Sequence, residues 1–325
     1  METRVWFTSF ILGKTIVKPK ILLNAGVAFA GTTPFYYTLR NAKFCHAGYK
    51  KEFHYLQMMH TNQEGFTDWM IKRYTERRPD FRTGELPEVT AEYDKDYYQT
   101  LLEPEHSFDK YIGHMKYMSE KYPEYHAVCD FSNYIVTLPE EFLTAHANAL
   151  KPHFDVKVTI LLADPVFRYY QECGGLINQY HRSERKKKKM KFANNNDIMY
   201  NYYIRTKQHH QLFLWFIERL QFSTNCNYEE NCEKITKSYG KKNVLVLEME
   251  KLWNLSYHNE IFDRLSEFLG YEISPEHLYP NQYMSEDKNI EGLRDQNTEF
   301  EPLTEKLYNL GKKAFERARS EGPYL

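Results

Sequence analysis

The sequence predicts an α/β fold, a single domain in which helices flank a central parallel sheet. Three apolar runs of strand length, at 21–23, 157–162 and 243–248, predict the strands. The first two runs each lead through a short turn into a helical pattern, and repeated strand–turn–helix crossovers make the strands parallel. With 325 residues, of which 42% are hydrophobic, the chain can bury a sizeable core.

The first strand leads into a loop of small residues at 26–33, which we call the anion loop. Thr at the cap and Pro in the first turn then begin a helix. Such a loop binds phosphate or sulfate, because free N–H groups and the positive helix end point at the anion. An ordinary strand-to-helix turn fits the loop alone equally well. The candidate binding residues are Gly26, Phe29, Ala30, Gly31, Thr32, Thr33 and Pro34.

A second polar cluster follows the anion loop after a short gap. Lys51, Glu52 and His54 place a cation, a carboxylate and an imidazole within four positions. Such a group can abstract a proton and neutralise an anion, so these are the candidate catalytic residues. The alternative interpretation is a charged surface turn, the usual setting of such residues.

The remaining chain divides around a core predicted at about 20–270. Residues 57–125 are predicted to be an insertion that shapes the acceptor side of a cleft, and 271–325 a helical tail. Pro and acidic residues at 138–141 begin one helix, 199–222 reads as a long amphipathic helix, and Gly closes another at 261–270. The basic run at 183–191 is either a solvated loop or a guide for an anionic ligand.

Composition and charge argue against several classes of protein. The formal charge of −1 gives no field for nucleic acid, and no apolar run is long enough to span a membrane. The apolar run at 5–12 lacks a basic start and a small-residue cleavage site, so we expect no signal peptide. Five scattered cysteines suit a reducing compartment, and we therefore expect a cytoplasmic protein. Cys226 and Cys232 lack neighbouring ligands, so no metal site is predicted. The oligomeric state stays open.

Several motifs, taken in order, are similar to those of one enzyme family. GVAFAGTT at 26–33 resembles a loop of the form Gly-Val-x-Lys-(Gly/Ala)-Gly-Thr-(Thr/Arg), and KEFHYL at 51–56 resembles Lys-Glu-x-His-(Phe/Tyr)-Phe. The further matches are DFSNY at 130–134, LLADPVFR at 161–168, KNVLVLEME at 242–250 and FDRLSEFLG at 262–270. Together they resemble the sulfotransferases that use 3′-phosphoadenosine 5′-phosphosulfate (PAPS), in the branch of heparan sulfate, bacterial and phage enzymes.

This resemblance implies a P-loop-like fold, PAPS as co-substrate and no metal. It implies in-line transfer of a sulfuryl group to a hydroxyl or amine of a small-molecule or glycan acceptor. Glu52 would act as general base with His54 as its partner. The anion loop would hold the 5′-phosphosulfate. A kinase-type phosphate loop would need Gly-Lys-Ser/Thr, and 26–33 contains no lysine.

The chain departs from the family pattern where the donor is held. Phe29 occupies the position of the family's loop lysine, and Ala163 that of the arginine that holds the 3′-phosphate. Gln171 lies near the position of the family's serine. A charge-assisted phosphate contact contributes about 1.5–3 kcal/mol, so two losses predict much weaker donor binding unless Arg168 or other cations compensate. Two hypotheses follow: an active sulfotransferase with a rearranged donor site, or a binding protein of the same fold that no longer uses the donor.

Overall fold

The computed structural model describes residues 18–48, 51–61, 105–164, 168 and 227–279. Within these ranges, five parallel strands form one sheet in the order β2-β3-β1-β4-β5. The strands are β1 (Lys20–Gly26), β2 (Cys45–His46), β3 (Ala127–Asp130), β4 (Asp155–Leu162) and β5 (Val244–Glu248). The described α-helices are α1 (Thr32–Asn41), α2 (Tyr55–Thr61), α3 (Phe108–Lys121), α4 (Glu140–Leu150), α5 (Tyr228–Tyr239), α6 (Met249–Leu252) and α7 (His258–Leu269).

The sheet confirms the predicted α/β class with parallel strands. The three predicted apolar runs are β1, β4 and β5, which lie side by side. β1 is central: Leu22 pairs with Cys129 of β3 on one side and with Lys157 of β4 on the other. The sequence interpretation missed β2 and β3, which have two and four residues. Strands this short carry too little periodicity to be recognised.

The helix ends follow the predicted chemistry with one correction. α4 begins after Pro139 with two acidic residues in its first turn, as predicted. α7 ends at Gly270, whose φ of 59° is left-handed, which confirms the predicted glycine C-cap. The predicted threonine cap of α1 is wrong: Gly31, with φ 71°, occupies that position, and Thr32 is the first helical residue.

Side-chain hydrogen bonds join the helices to one another. α4 and α5 pack together, and His146 Nδ1 lies 2.8 Å from the Tyr239 hydroxyl. Burial lowers the pKa of His146 to about 3, so the ring is neutral in the core. The Tyr271 hydroxyl, after α7, donates to the Ala42 carbonyl oxygen at the end of α1 at 2.9 Å.

Several predicted features lie outside the described residues. They are the basic run at 183–191, the helix at 199–222, most of the insertion at 57–125 and the tail beyond 279. The described helices of this insertion are α2, which begins two residues before it, and α3. The single-domain organisation therefore stays a prediction. Within the described part of the chain, no helix is long and apolar enough to cross a membrane.

Candidate functional site

The candidate residues follow the carboxyl ends of different strands. The anion loop follows β1, the Lys51–His54 segment follows β2, and Asp164 follows β4. Because the strands are parallel, these ends share one edge of the sheet. The chain leaves β1 toward the β2 edge and leaves β4 toward the β5 edge. Open α/β sheets bind ligands in the crevice where connections diverge in this way.

The anion loop is a fixed turn with three residues at positive φ. Val27 N–H donates to the Leu161 carbonyl of β4 at 3.0 Å, which ties the loop to the sheet. Gly26, Phe29 and Gly31 have φ values of 127°, 64° and 71°. The first N–H groups of α1 have no carbonyl partner within the helix, so the loop presents donors at a positive helix end. This geometry suits an anionic ligand.

Both loop glycines are packed against the segments around them. A Cβ on Gly26 would lie 2.3 Å from the Asn133 carbonyl oxygen, closer than real contacts allow. A Cβ on Gly31 would lie 3.0 Å from Met249 Cγ and 3.1 Å from Trp253 Cζ3. Glycine is therefore required at position 26 for space as well as for backbone conformation. The loop therefore packs between the segments that follow β3 and β5.

The structure brings the three predicted catalytic residues together. Lys51 Nζ donates to Glu52 Oε1 at 2.5 Å, and His54 Nε2 lies 3.2 Å from Glu52 Oε2. A third partner was not predicted: Asn133 Nδ2 donates to Oε1 at 2.9 Å. The Glu52 side chain is one-quarter exposed.

The ionisation of Glu52 reflects this setting. Burial favours the neutral acid and pushes the pKa of Glu52 up. The Lys51 ammonium and the hydrogen bond from His54 act in the opposite direction and prevail, so the pKa lies well below the ordinary value. Glu52 is therefore ionised at neutral pH, the state that a proton acceptor requires.

A buried network at the end of β3 holds the 51–54 segment in place. Asp130 is fully buried and accepts hydrogen bonds from the Ser132 N–H at 3.0 Å and the Tyr111 hydroxyl at 2.9 Å. Ser132 Oγ in turn accepts from the His54 N–H at 2.9 Å. Burial raises the pKa of Asp130, and these hydrogen bonds partly offset that rise. The 51–54 segment is thus fixed to β3 as well as to β2.

The predicted donor-binding residues that follow β4 are buried; together with the anion loop they form what we call the donor side of the site. Ala163 is fully buried, and its carbonyl accepts from the Tyr228 hydroxyl at 2.8 Å. Arg168 is also fully buried, and its Nη1 donates to the Ala28 carbonyl at 3.0 Å. Arg168 therefore supports the anion loop from beneath. Phe29 is 37% exposed, and Gln171 lies outside the described residues.

Sequence reasoning missed the residues that support the site. DFSNY at 130–134 was recognised as a motif, but no role was given to Asp130, Ser132 or Asn133. Asp130 ends β3, and Ser132 and Asn133 follow it. Because β3 is too short to be recognised from the sequence, the motif itself was the available signal. Among the described residues, no group of His, Cys, Asp or Glu is arranged to hold a metal ion.

Comparison with known proteins gives limited information. No family model matches the chain, and no curated protein matches it. Among solved structures, a sulfotransferase from Alicyclobacillus acidocaldarius is similar with a TM-score of 0.42 and 16% identity, over 91% of this chain and 97% of that one. A likeness at this level does not establish a family, so the function rests on the geometry of the site.

Proposed function

We propose that the protein is a sulfotransferase that transfers the sulfuryl group of PAPS to a hydroxyl or amine of an acceptor. One observation carries the proposal: an ionised, partly exposed carboxylate, Glu52, lies beside the segment that packs against the anion loop. Asn133 makes both contacts, through its side chain to Glu52 and its backbone to Gly26. A proton acceptor next to an anion loop is the arrangement that transfer of an anionic group to a hydroxyl needs.

The two halves of the site have separate roles. When bound, the donor supplies the sulfuryl group and a phosphate leaving group. The N–H groups of Thr32 and Thr33, with their hydroxyls, would hold the phosphosulfate as charge moves onto the leaving oxygen. Glu52 would take the proton of the acceptor hydroxyl or amine. Its Oε2 atom is the less occupied, because Oε2 has one partner, His54, whereas Oε1 accepts from both Lys51 and Asn133.

The motif resemblance and the loop composition favour sulfuryl over phosphoryl transfer. A kinase-type loop needs a lysine between its last glycine and the Ser/Thr that follows, whereas Thr32 directly follows Gly31 here. We propose a glycan or small-molecule acceptor and a cytoplasmic location, on the resemblance and the sequence composition respectively.

The donor side supports a second candidate function. The position of the family's loop lysine is an exposed phenylalanine, and that of its phosphate-binding arginine is a buried alanine. Arg168, the described cation nearest in sequence to Ala163, is directed to a backbone carbonyl. A protein of this fold that binds an acceptor-type ligand without using PAPS would show these features.

Isothermal calorimetry separates the two candidates. The wild-type protein is titrated with PAPS and with the desulfated product, 3′-phosphoadenosine 5′-phosphate (PAP), and ATP serves as the control nucleotide. The sulfotransferase proposal predicts saturable binding of PAP below millimolar concentration and weaker binding of ATP. Absence of PAP and PAPS binding at millimolar concentration would exclude the enzyme and favour the binding protein.

A further inference from the structure

We infer that Asn133 is a positioning residue that holds the Glu52 carboxylate at a fixed place beside the anion loop. This inference rests on the proposed function for its chemical meaning. The contacts that carry it are independent of that function.

Asn133 differs from the other two partners of Glu52 in where it comes from. Lys51 and His54 belong to the same short segment as Glu52 and move with it. Asn133 lies 81 positions further along the chain and follows β3. The backbone of the 51–54 segment is already tied to the residues after β3, and the Asn133 amide extends that attachment to the carboxylate itself.

The backbone of Asn133 is itself held firmly. Ser132, which precedes it, donates through its N–H to buried Asp130, and Ile135 N–H donates to the Ser132 carbonyl at 3.1 Å. The Asn133 carbonyl lies against Gly26, where a Cβ would meet it at 2.3 Å. One residue thus touches the proposed base with its side chain and the start of the anion loop with its main chain.

The amide is retained at a cost, which argues for a specific role. Asn133 Oδ1 is buried and makes no hydrogen bond within the described chain. A buried polar atom without a partner destabilises a fold and calls for an explanation such as a catalytic role. The carboxylate accepts hydrogen bonds only, so the NH₂ group must face Glu52. DFSNY resembles a motif of the form Asp/Glu-x-Ser/Thr-Pro-x-Tyr, in which proline stands where this chain has Asn133. Proline has no side-chain amide and could not make the contact.

The first test uses kinetics in a double-mutant cycle. With labelled PAPS and an acceptor found by screening, Asn133→Ala is expected to lower kcat at least tenfold while the Kd for PAP stays within twofold. In a Glu52→Gln background the same change is expected to have no further effect, because the amide acts through the carboxylate. The exposed Asn148→Ala is the site-distant control. Equal losses in both backgrounds would overturn the inference.

The second test needs no activity, so it decides the inference even if the proposed function fails. Side-chain carboxyl carbons of glutamate are labelled with ¹³C, and the Glu52 signal is identified by its absence in Glu52→Gln. Loss of the amide hydrogen bond should raise the pKa of Glu52, and the near-isosteric Asn133→Asp should raise it further by charge repulsion. Thermal unfolding confirms that each variant folds. Titration at the wild-type pH in both variants would overturn the inference.

Discussion

The two sides of the central strand β1 differ in how their polar groups are used. On the β3 side, Glu52 is ionised, partly exposed and held by three hydrogen-bond partners. On the β4 side, the cation Arg168 is fully buried and bonded to a loop carbonyl, while the exposed position carries Phe29. The half that would accept a proton presents charge to the crevice, and the half that would hold the donor presents backbone N–H groups.

The two halves of the site are therefore held in different ways. Asp130, Ser132 and Asn133 support the segment that carries Glu52 through hydrogen bonds within the described chain. On the other side, an anion would depend on the loop N–H groups at the start of α1. Under the proposed function, a change at Glu52 is expected to act on turnover, and a change at Phe29 on donor affinity.

Glu52→Gln removes the proton acceptor and keeps the size of the side chain. We expect sulfuryl transfer from labelled PAPS to fall by about 10²–10⁴-fold, the usual contribution of a general base. The Kd for PAP, measured by calorimetry, should change less than twofold, because the amide does not touch the loop. A fully active Glu52→Gln would remove Glu52 from the mechanism and erase the contrast between the two sides.

Gly26→Ala tests the contact that joins the two sides. The new Cβ would meet the Asn133 carbonyl at 2.3 Å, so overpacking of about 1–3 kcal/mol adds to a backbone cost of about 1–3 kcal/mol. Gly240→Ala is the matched control, because Gly240 also has positive φ and its Cβ would meet only Asn243 Nδ2 at 3.8 Å. Urea unfolding should show the greater loss for Gly26→Ala. Equal losses would mean that the Asn133 contact is unimportant.

Phe29→Lys should strengthen PAP binding at the anion loop. Phe29 already has a positive φ of 64°, so lysine at this position adds no backbone strain, and it brings a positive charge to the exposed position. A charge-assisted contact of about 1.5–3 kcal/mol corresponds to roughly 10–100-fold tighter PAP binding. Phe29→Met is the uncharged control and should give no gain. A lysine variant that binds PAP no better than the methionine variant would place the anion elsewhere.

Two buried tyrosines allow a direct comparison of structural support. Tyr111→Phe removes a hydrogen bond to the Asp130 carboxylate, whereas Tyr228→Phe removes one to the neutral Ala163 carbonyl. We expect losses in unfolding free energy of about 1.5–3 and 0.5–1.5 kcal/mol, because bonds to charged groups are stronger. Chemical denaturation measures both. A larger loss of unfolding free energy for Tyr228→Phe would mean that the hydrogen bond to Ala163 supports the fold more than the one to Asp130.

Sequence alone predicts much of the fold and the charged part of the site. The apolar runs of β1, β4 and β5 and the glycine after α7 have local patterns that survive in the structure. Lys51, Glu52 and His54 are close in sequence, so their meeting needs little tertiary information. These features depend on short-range chemistry, which a sequence displays directly.

The rest depends on contacts between distant segments. Asn133 meets Glu52 only because β3 lies between β1 and β2 in the sheet, and neither short strand was recognisable. Gly31 caps α1 with a left-handed backbone and packs closely against Met249 and Trp253, which follow β5 and lie far away in sequence. The burial of Arg168 beneath the loop is likewise a tertiary fact that spacing cannot give.

A crystal structure of the complex with PAP would show directly whether the anion loop holds the donor. We expect density for the 5′-phosphate at the N–H groups of Thr32 and Thr33, with the Glu52 carboxylate facing the same crevice. Density for the nucleotide away from the anion loop, or none at saturating PAP, would contradict the assignment of this edge of the sheet as the donor site.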